Sequence, residues 1–481
     1  MLTALEFVRS LVWGIPTLAL ILGVGVYLTA HTGCAQLRLF PKALGHFLQK
    51  LRPAKKKEGV SSMQALCTAL AATVGTGNIA GVAGAISIGG PGAIFWMWIC
   101  AFLGMAVKFA EATLAVHFRV RKNGEFVGGP MYMITVGMGP KWRPLACVYA
   151  FFGLVAAFGV GNATQINAVI TGINSAAVAF GGKPTVTGNL LLGILLAVLI
   201  AGMLLGGASR IGRIAERLVP FGALGYLLLG LFVLLGRWQA IDDAFAAILC
   251  GAFSPAAVTG GAVGSFLSSM GIGISRGVFT NEAGMGTASI AHAGADVDHP
   301  AEQGLMGIME VFLDTIVICT MTALVILVSG IPIPYGHDTG AALTTAAFEA
   351  VCGKWVSVFL AGALCCFALA TVLGWGLYGA RCAQFLFGNH VWKKFVFLQA
   401  AVVIVSSVLG TGTVWLLSDI VNGLMAIPNL IALAALRKPL RRLTEEYTSG
   451  GTYENFHQRK PLRTFSYAKI PSFGREGKGE G

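Results

Sequence analysis

Within the apolar run ALAATVGTGNIAGVAGAISIGGPGAIFWMW, residues 69–98, lies the polar break VGTGN, residues 74–78. Glycine costs a helix about 1 kcal/mol relative to alanine. A break leaves free C=O groups on one half-helix and free N–H groups on the other. The positive helix end can hold a carboxylate, and the freed carbonyls can hold sodium or an ammonium group. Glycine lets a ligand approach the backbone, and Asn78 offers an amide oxygen to a cation. Packing is the competing use, because Gly77-x-x-x-Gly81 is also a close-approach motif of membrane helices. A second stretch, GSFLSSMGIGISRGVFTNEAGMGTASIAHAGA at 264–295, is equally long, glycine-rich and polar at mid-depth. Two interrupted segments at matching positions of two halves point to a transporter's binding site.

Charges inside apolar segments are expensive and default to function. Glu310 and Asp314 lie i,i+4 on one helical face, and Glu282 follows the second break. Together with Arg276 they could form a gate network; a proton relay through Glu282, Glu310 and Asp314 is the alternative use. Lys108 and Glu111 lie toward one end of their segment, where snorkelling or static pairing explains them equally well. GTGNIA, residues 75–80, fits a dinucleotide fingerprint but follows no strand and has no acid about 20 residues on. GISRG, residues 273–277, fits a nucleophile elbow. An intramembrane serine hydrolase would need a histidine near Ser275, and His292 is the one that segment offers.

The elements that must position these residues are membrane spans. The chain has 481 residues, 56% hydrophobic and 11% charged, against about 25% charged in a soluble domain. Its mean hydropathy is +0.75. Spans are expected at 11–30, 61–89, 93–117, 145–178, 188–206, 214–236, 262–294, 303–329, 355–379, 394–409 and 412–436. The net charge of +13 does not gather into a nucleic-acid patch. It clusters in alternate linkers: Arg38, Lys42, Lys50, Arg52 and Lys55–Lys57; then Arg119, Arg121, Lys122, Lys141 and Arg143; then Arg210 and Arg213; then Arg381, Lys393 and Lys394; then Arg437, Lys438, Arg441 and Arg442. An odd span count puts every cluster on the cytoplasmic side, with the N-terminus outside and the C-terminus inside. The ten cysteines form no CxxC pair and no Cys/His cluster, and read as small core residues. The first span lacks a basic n-region and a cleavage site, so it reads as a span rather than a signal peptide.

With span one set aside, the remaining ten divide into two sets of five, each opening with a broken helix and the second inverted. The expected fold is an all-α polytopic membrane protein of about 11 transmembrane helices. Its parts are a peripheral first helix (1–34), a basic cytoplasmic linker (35–58), two inverted five-helix repeats (59–236 and 237–436) and a disordered cytoplasmic tail (437–481).

The stretches TVGTGNIAGVAGAISIGGPGAIFWMW, VGGPMYMI, RGVFTNEAGMGTASIAHA, EVFLDTIVICTMTALVIL and LGWGLYGARCAQFLFG resemble the alanine/glycine:cation symporter family over nearly all of residues 60–390. The resemblance implies sodium-coupled uptake of a small neutral amino acid across the cell membrane, through a leucine-transporter-type fold. It implies no cofactor beyond the co-transported sodium ion, no nucleic acid and no obligate protein partner. VGTGN also resembles the glycine-rich break in the first core helix of sodium-coupled neurotransmitter symporters, and SSMGIGI the break in their sixth. Carried over, Gly75, Thr76 and Gly77 would offer backbone to the substrate carboxylate, with Asn78 in the same substrate set, and Ser269, Gly271, Ile272 and Gly273 would face its amino group and side chain. Gln165, Thr371 and Trp375 would complete the pocket. For sodium the resemblance implies Ala71, Thr73, Val74 and Asn78 on span two, with Phe367, Ala370 and Thr371 on span nine. The family usually has a hydroxyl where Ala370 stands, and acidic residues where Ala380 and Gln384 stand. A channel is a third reading, but it needs a continuous polar pore, and apolar glycine-lined breaks suit a small occluded cavity better.

Overall fold

The computed structural model describes residues 5–8, 12–51, 60–122, 124–337, 339–408, 412–451 and 453. Among them the chain is helical apart from two short strand pairs. Val60–Ser61 runs parallel to Ala295–Asp296, and Val120–Lys122 runs antiparallel to Glu125–Val127. The helices used below are α1 (Ile15–His31), α2 (Phe40–Lys50), α3 (Ser62–Thr73), α4 (Val82–Gly89) and α5 (Ala93–His117). They continue with α6 (Arg143–Phe158), α7 (Thr164–Ala179), α8 (Val186–Leu204), α9 (Gly207–Gly236), α10 (Phe266–Asn281) and α11 (Thr287–His292). The last are α12 (Pro300–Val311), α13 (Thr320–Val328), α14 (Ala341–Cys352), α15 (Val356–Phe387), α16 (Trp392–Ser406), α17 (Gly412–Ala435) and α18 (Arg437–Thr448).

Among the described residues, six helical stretches are long and apolar enough to cross a bilayer, and up to eight if each of two bent pairs counts as one span. Eleven were expected. The difference lies in short elements: α1 has 17 residues, α10 has 16 and α16 has 15. A helix needs about 20 residues to cross a 30 Å core. The first bent pair is α3 with Gly77–Gly89, turned by 51°. The second joins Ile420–Ala435 to α18 at 62°, and α18 is a charged amphipathic helix that buries Leu440, Leu443 and Thr444. The tail expected to be disordered from 437 is therefore helical to Thr448, because leucines at i and i+3 give it an apolar side; residues 454–481 lie outside the described set.

Local sequence sets the start of the first broken helix. Ser61 and Gln64 form a capping box: the Gln64 amide donates to Ser61 Oγ, and the Ser61 amide to Gln64 Oε1, both at 3.1 Å. Next, α5 packs along α10 and α12, with α1 on its outer side, while α15 runs against α3, α6, α7 and α9. Small residues permit these approaches. A Cβ on Gly277 would lie 3.0 Å from that of Cys100 on α5, and one on Gly374 would lie 2.9 Å from Ala72 on α3. Leu191, Leu195 and Val198 on α8, and Phe221, Leu224 and Leu228 on α9, are exposed, as expected of lipid-facing residues.

Candidate substrate and cation site

At the first break the chain leaves the α-helical path at Val74, whose backbone is extended (φ −73°, ψ 98°), and re-enters as a π-helical turn, Gly77–Gly81. In an unbroken helix the Gly75 amide would donate to the Ala71 carbonyl. Here it donates to Asn78 Oδ1 at 2.9 Å, so Ala71 loses its helical donor. The Asn78 amide nitrogen donates to Asp314 Oδ1 at 2.7 Å and to the Asp314 carbonyl at 3.2 Å. The Asn78 oxygen, expected to face a cation, thus also holds the break open through the Gly75 amide. Thr344 on α14 closes the π turn by donating to the Ile79 carbonyl at 3.0 Å.

The second break falls later than expected. Ser269, Gly271, Ile272 and Gly273 lie inside the continuous helix α10, and the chain breaks at 282–286. The glycines at 273 and 277 serve packing: a Cβ on Gly273 would run into the Ala93 backbone and Trp96, and Ile272 packs on Gly89. Ser269 Oγ is buried without a hydrogen-bond partner. At the break itself Glu282 has φ 53°, Gly284 φ 93° and Gly286 φ 77°. A left-handed glutamate costs roughly 1–2 kcal/mol, so it must be held. Trp375 Nε1 donates to Glu282 Oε1 at 3.0 Å, and Thr287 Oγ1 to Oε2 at 2.6 Å. Asn281 Oδ1 accepts from the Ala283 amide at 3.0 Å. From α5, Glu111 Oε1 accepts the Gly284 and Gly286 amides at 3.0 and 3.1 Å, and Asn429 Nδ2 at 2.7 Å.

The two breaks lie side by side. A Cβ placed on Gly77 would stand 3.3 Å from Thr280 and 3.6 Å from Phe279. Phe279 and Thr280, which the sequence does not single out as site residues, are the contribution of the second broken helix; their signal is the run VFTNEAG, within the interrupted stretch 264–295. Around Gly75 gather Thr371 and Gln165, whose polar atoms would lie 2.8 and 3.7 Å from a Cβ there. The Thr371 hydroxyl donates to the Phe367 carbonyl at 3.0 Å. Gln165 Oε1 accepts from Thr76 at 3.4 Å, while its Nε2 donates to the Val160 carbonyl at 3.2 Å, in a π turn between α6 and α7. Trp375 packs against Gly161 of the same turn. Thr73 donates to the Ala69 carbonyl at 3.3 Å, and Ala370 is buried with no polar side-chain atom. Gly75, Thr76, Gly77, Gln165, Thr371 and Trp375 are thus brought together, and Ser269–Gly273 are set apart from them.

Beside the breaks runs a buried polar chain. Lys108 Nζ pairs with Glu310 Oε1 at 2.8 Å, and His292 Nε2 meets Glu310 Oε2 at 2.9 Å. Gln303 Nε2 meets His292 Nδ1 at 2.6 Å, and Ser62 Oγ donates to Gln303 Oε1 at 2.7 Å. The chain ties the start of α3 to α11, α12 and α5. Lys108 and Glu111 are fully buried, which corrects the snorkelling alternative: their segment is covered by α10 and α12. Asp314 belongs to the first break, through Asn78, and Glu282 to the second, through Trp375. Arg276 is half-buried one turn before Thr280. Ser275 lies within α10, without the strand-turn-helix of a nucleophile elbow, and both nitrogens of His292 are engaged elsewhere.

Comparison with known proteins agrees with this architecture. The sodium:alanine symporter family matches residues 1–459. The sodium/alanine symporter AgcS of Methanococcus maripaludis is 43% identical over 434 residues, covering 89% of this chain and 93% of that one. The probable sodium/glutamine symporter GlnT of Bacillus subtilis is 36% identical over 445 residues, covering 92% and 89%. In three dimensions the chain is similar to MhsT, solved in complex with L-phenylalanine, with a TM-score of 0.55 at 14% identity over 81% of this chain and 99% of that one. That likeness gives the leucine-transporter-type fold. A multi-pass membrane transporter rather than an enzyme, the chain belongs to the sodium:alanine symporter family.

Proposed function

We propose that this protein carries a small neutral amino acid, alanine, glycine or one of similar size, into the cell together with sodium. The observation that carries the reading is the meeting of the two breaks at Gly77 and Thr280, with Thr371 held against Gly75. The substrate carboxylate would sit at the amino end of Gly77–Gly89, where the helix dipole favours an anion. Its α-carbon would stand near Gly75, Gly77, Phe279 and Thr280, with Gln165 and Trp375 closing the pocket. Sodium would bind the Ala71 and Val74 carbonyls, the Phe367 carbonyl and the Thr371 hydroxyl, an all-oxygen set suited to a hard cation. The freed Ala71 carbonyl supports this assignment.

Residues 59–236 and 237–436 would form two inverted repeats, rocking to expose the site alternately to each side. The orientation we propose puts the N-terminus outside and the basic elements in the cytoplasm. Its support is that the basic helices α2 and α18 meet, with Lys42 Nζ 5.9 Å from the Tyr447 ring. Arg381 pairs with Glu125 of the antiparallel strand pair Val120–Lys122 and Glu125–Val127, and Arg119 donates to the Ala293 carbonyl.

The test is uptake by proteoliposomes, screening neutral amino acids in sodium against choline buffer. Uptake of alanine or glycine in sodium alone, with counterflow of labelled substrate, is the expected result. Uptake unchanged in choline but collapsing with the pH gradient would move the coupling to protons. The buried carboxyls Glu282, Glu310 and Asp314 favour that second reading.

A further inference from the structure

Among the described residues, the fully buried charged groups are four carboxyls, Glu111, Glu282, Glu310 and Asp314, and one ammonium, Lys108. Lys108 is committed to Glu310. Glu282 accepts on both oxygens, from Trp375 and Thr287, and Asp314 on both, from Asn78 and Thr315. Glu111 differs. Its Oε1 takes three hydrogen bonds and its Oε2 takes none, although the side chain is fully buried. Beside it, Asn429 spends its Nδ2 on Glu111 Oε1 and on the Gly284 carbonyl at 2.9 Å. Those two acceptors fix the orientation of the amide, and Asn429 Oδ1 is left buried with no donor. The phenols of Tyr149 and Tyr378 are also buried without a hydrogen bond, and both lie within electrostatic reach of Glu111 and Glu282. Tyr378 packs edge-on against Trp375, at 5.8 Å between ring centroids.

An unpartnered carboxylate oxygen is expensive in such a place. Lys108, on the same helix, spends its hydrogen bond on Glu310 and leaves Oε2 without a donor. The atoms on offer are all oxygens, with one spare negative charge, which is what a small hard monovalent cation requires. We propose that Glu111 Oε2 and Asn429 Oδ1, completed by the phenolic oxygens of Tyr149 and Tyr378, form a second sodium site at the second break. It is built on α5, α6, α15 and α17, apart from the Ala71–Thr371 set on α3 and α15. The other oxygen of Glu111 holds the Gly284 and Gly286 amides, so an ion on Oε2 would fix the geometry of the break itself. The proposal rests on the sodium-symport reading above.

The test is binding of radioactive sodium to the purified full chain in detergent, without amino acid, for wild type, Glu111→Gln, Tyr378→Phe and Thr371→Val. Glu111→Gln keeps an acceptor for the backbone amides and replaces the Oε2 position with NH2. The wild type should bind sodium in two components. Glu111→Gln should lose one, or raise its half-saturating concentration about ten-fold or more, while Thr371→Val weakens the other. Tyr378→Phe, which touches no backbone cap, should weaken the same component as Glu111→Gln. Wild-type sodium binding by both Glu111→Gln and Tyr378→Phe would overturn the second site, and sodium-dependent uptake by them would leave the symport reading standing. A wild type that binds no sodium and takes up substrate in choline would sink both. Sodium binding unchanged in Glu111→Gln, with a shifted pH profile of uptake, would give the position to a proton and overturn the sodium assignment.

Discussion

Asn78 and Asn281 act alike at opposite breaks. Asn78 follows its break and accepts the Gly75 amide; Asn281 precedes its break and accepts the Ala283 amide. Each then turns its Nδ2 to one pair on the π turn Phe312–Cys319: Asn78 to Asp314, and Asn281 to Thr315 at 3.3 Å, with Thr315 donating to Asp314 Oδ2 at 2.9 Å. The two breaks are therefore coupled through one carboxyl group.

Removing Asn78 should undo this arrangement. Asn78→Ala leaves the Gly75 amide and one Asp314 oxygen buried without partners, and each such group costs about 1–3 kcal/mol. Asn78→Asp keeps an acceptor for Gly75 but sets a carboxylate against Asp314. Both variants should lose uptake and melt earlier in detergent, with Asn78→Asp no better than Asn78→Ala at neutral pH. A wild-type melting temperature for Asn78→Asp would show that Asp314 is not facing it as a charge.

Gly75 and Gly81, six residues apart around the first break, should respond oppositely to one methyl group. A Cβ on Gly75 would meet Thr371 Oγ1 at 2.8 Å, a distance that something must yield to relieve. A Cβ on Gly81 would meet only Thr280 Cγ2, at 3.8 Å, an ordinary contact. Gly75→Ala should therefore abolish substrate and sodium binding together, and Gly81→Ala should leave transport near wild type. Equal effects, measured as uptake at matched expression, would place the tight approach elsewhere.

Sodium affinity should follow the hydroxyls on α15. Thr371→Val removes the hydroxyl held against Gly75 and should raise the sodium concentration for half-maximal uptake. Ala370→Ser, at a buried position beside it, should lower that concentration. A membrane potential adds about 2.3 kcal/mol per charge per 100 mV, so uptake should also be electrogenic. Current recordings on solid-supported membranes would contradict this if alanine evoked no sodium-dependent charge movement.

Outside the membrane, His299 provides a pH test. It caps α12 by accepting the Ala301 amide on Nδ1 at 3.0 Å, packed against the Tyr447 and Tyr453 rings, with His117 beyond Tyr453. Burial lowers its pKa to about 4, from an ordinary value of about 6.5. The unfolded chain takes up the proton first. The stabilisation from the neutral ring is thus complete above about pH 6.5 and is lost as the pH falls toward 4. His299→Asn keeps a capping acceptor without the titration. Its melting temperature should fall less than that of the wild type between those two pH values; an identical fall would remove His299 from the acid response.

The sequence showed the first break because its glycines coincide with Asn78, a residue with no other reason to lie there. It placed the second break too early because SSMGIGI has the same composition as a break. Only the tertiary contacts reveal that Gly273 and Gly277 are spent on the approach of α5. The true break is set by the left-handed Glu282, which no glycine pattern announces and which Trp375 and Thr287 stabilise from a distance in sequence. Charged residues were legible as functional candidates, but their partners were not: Glu111 answers to Asn429, more than 300 positions away.

That displacement of the second break yields a specificity prediction. If the site lies where the breaks meet, the methyl group of Thr280 beside Gly77 limits the size of the substrate side chain. Thr280→Ala would remove that methyl, and one methylene in such a pocket is worth about 1–3 kcal/mol of discrimination. Uptake of a substrate one carbon larger than alanine should improve relative to alanine by about ten-fold or more. Gly271→Ala, where an added Cβ meets nothing within 4 Å, should leave the ratio unchanged. Competition assays with alanine and 2-aminobutyrate would read the difference directly. A ratio that moved with Gly271→Ala and not with Thr280→Ala would return the side-chain pocket to the SSMGIGI stretch and separate it from the break at Glu282.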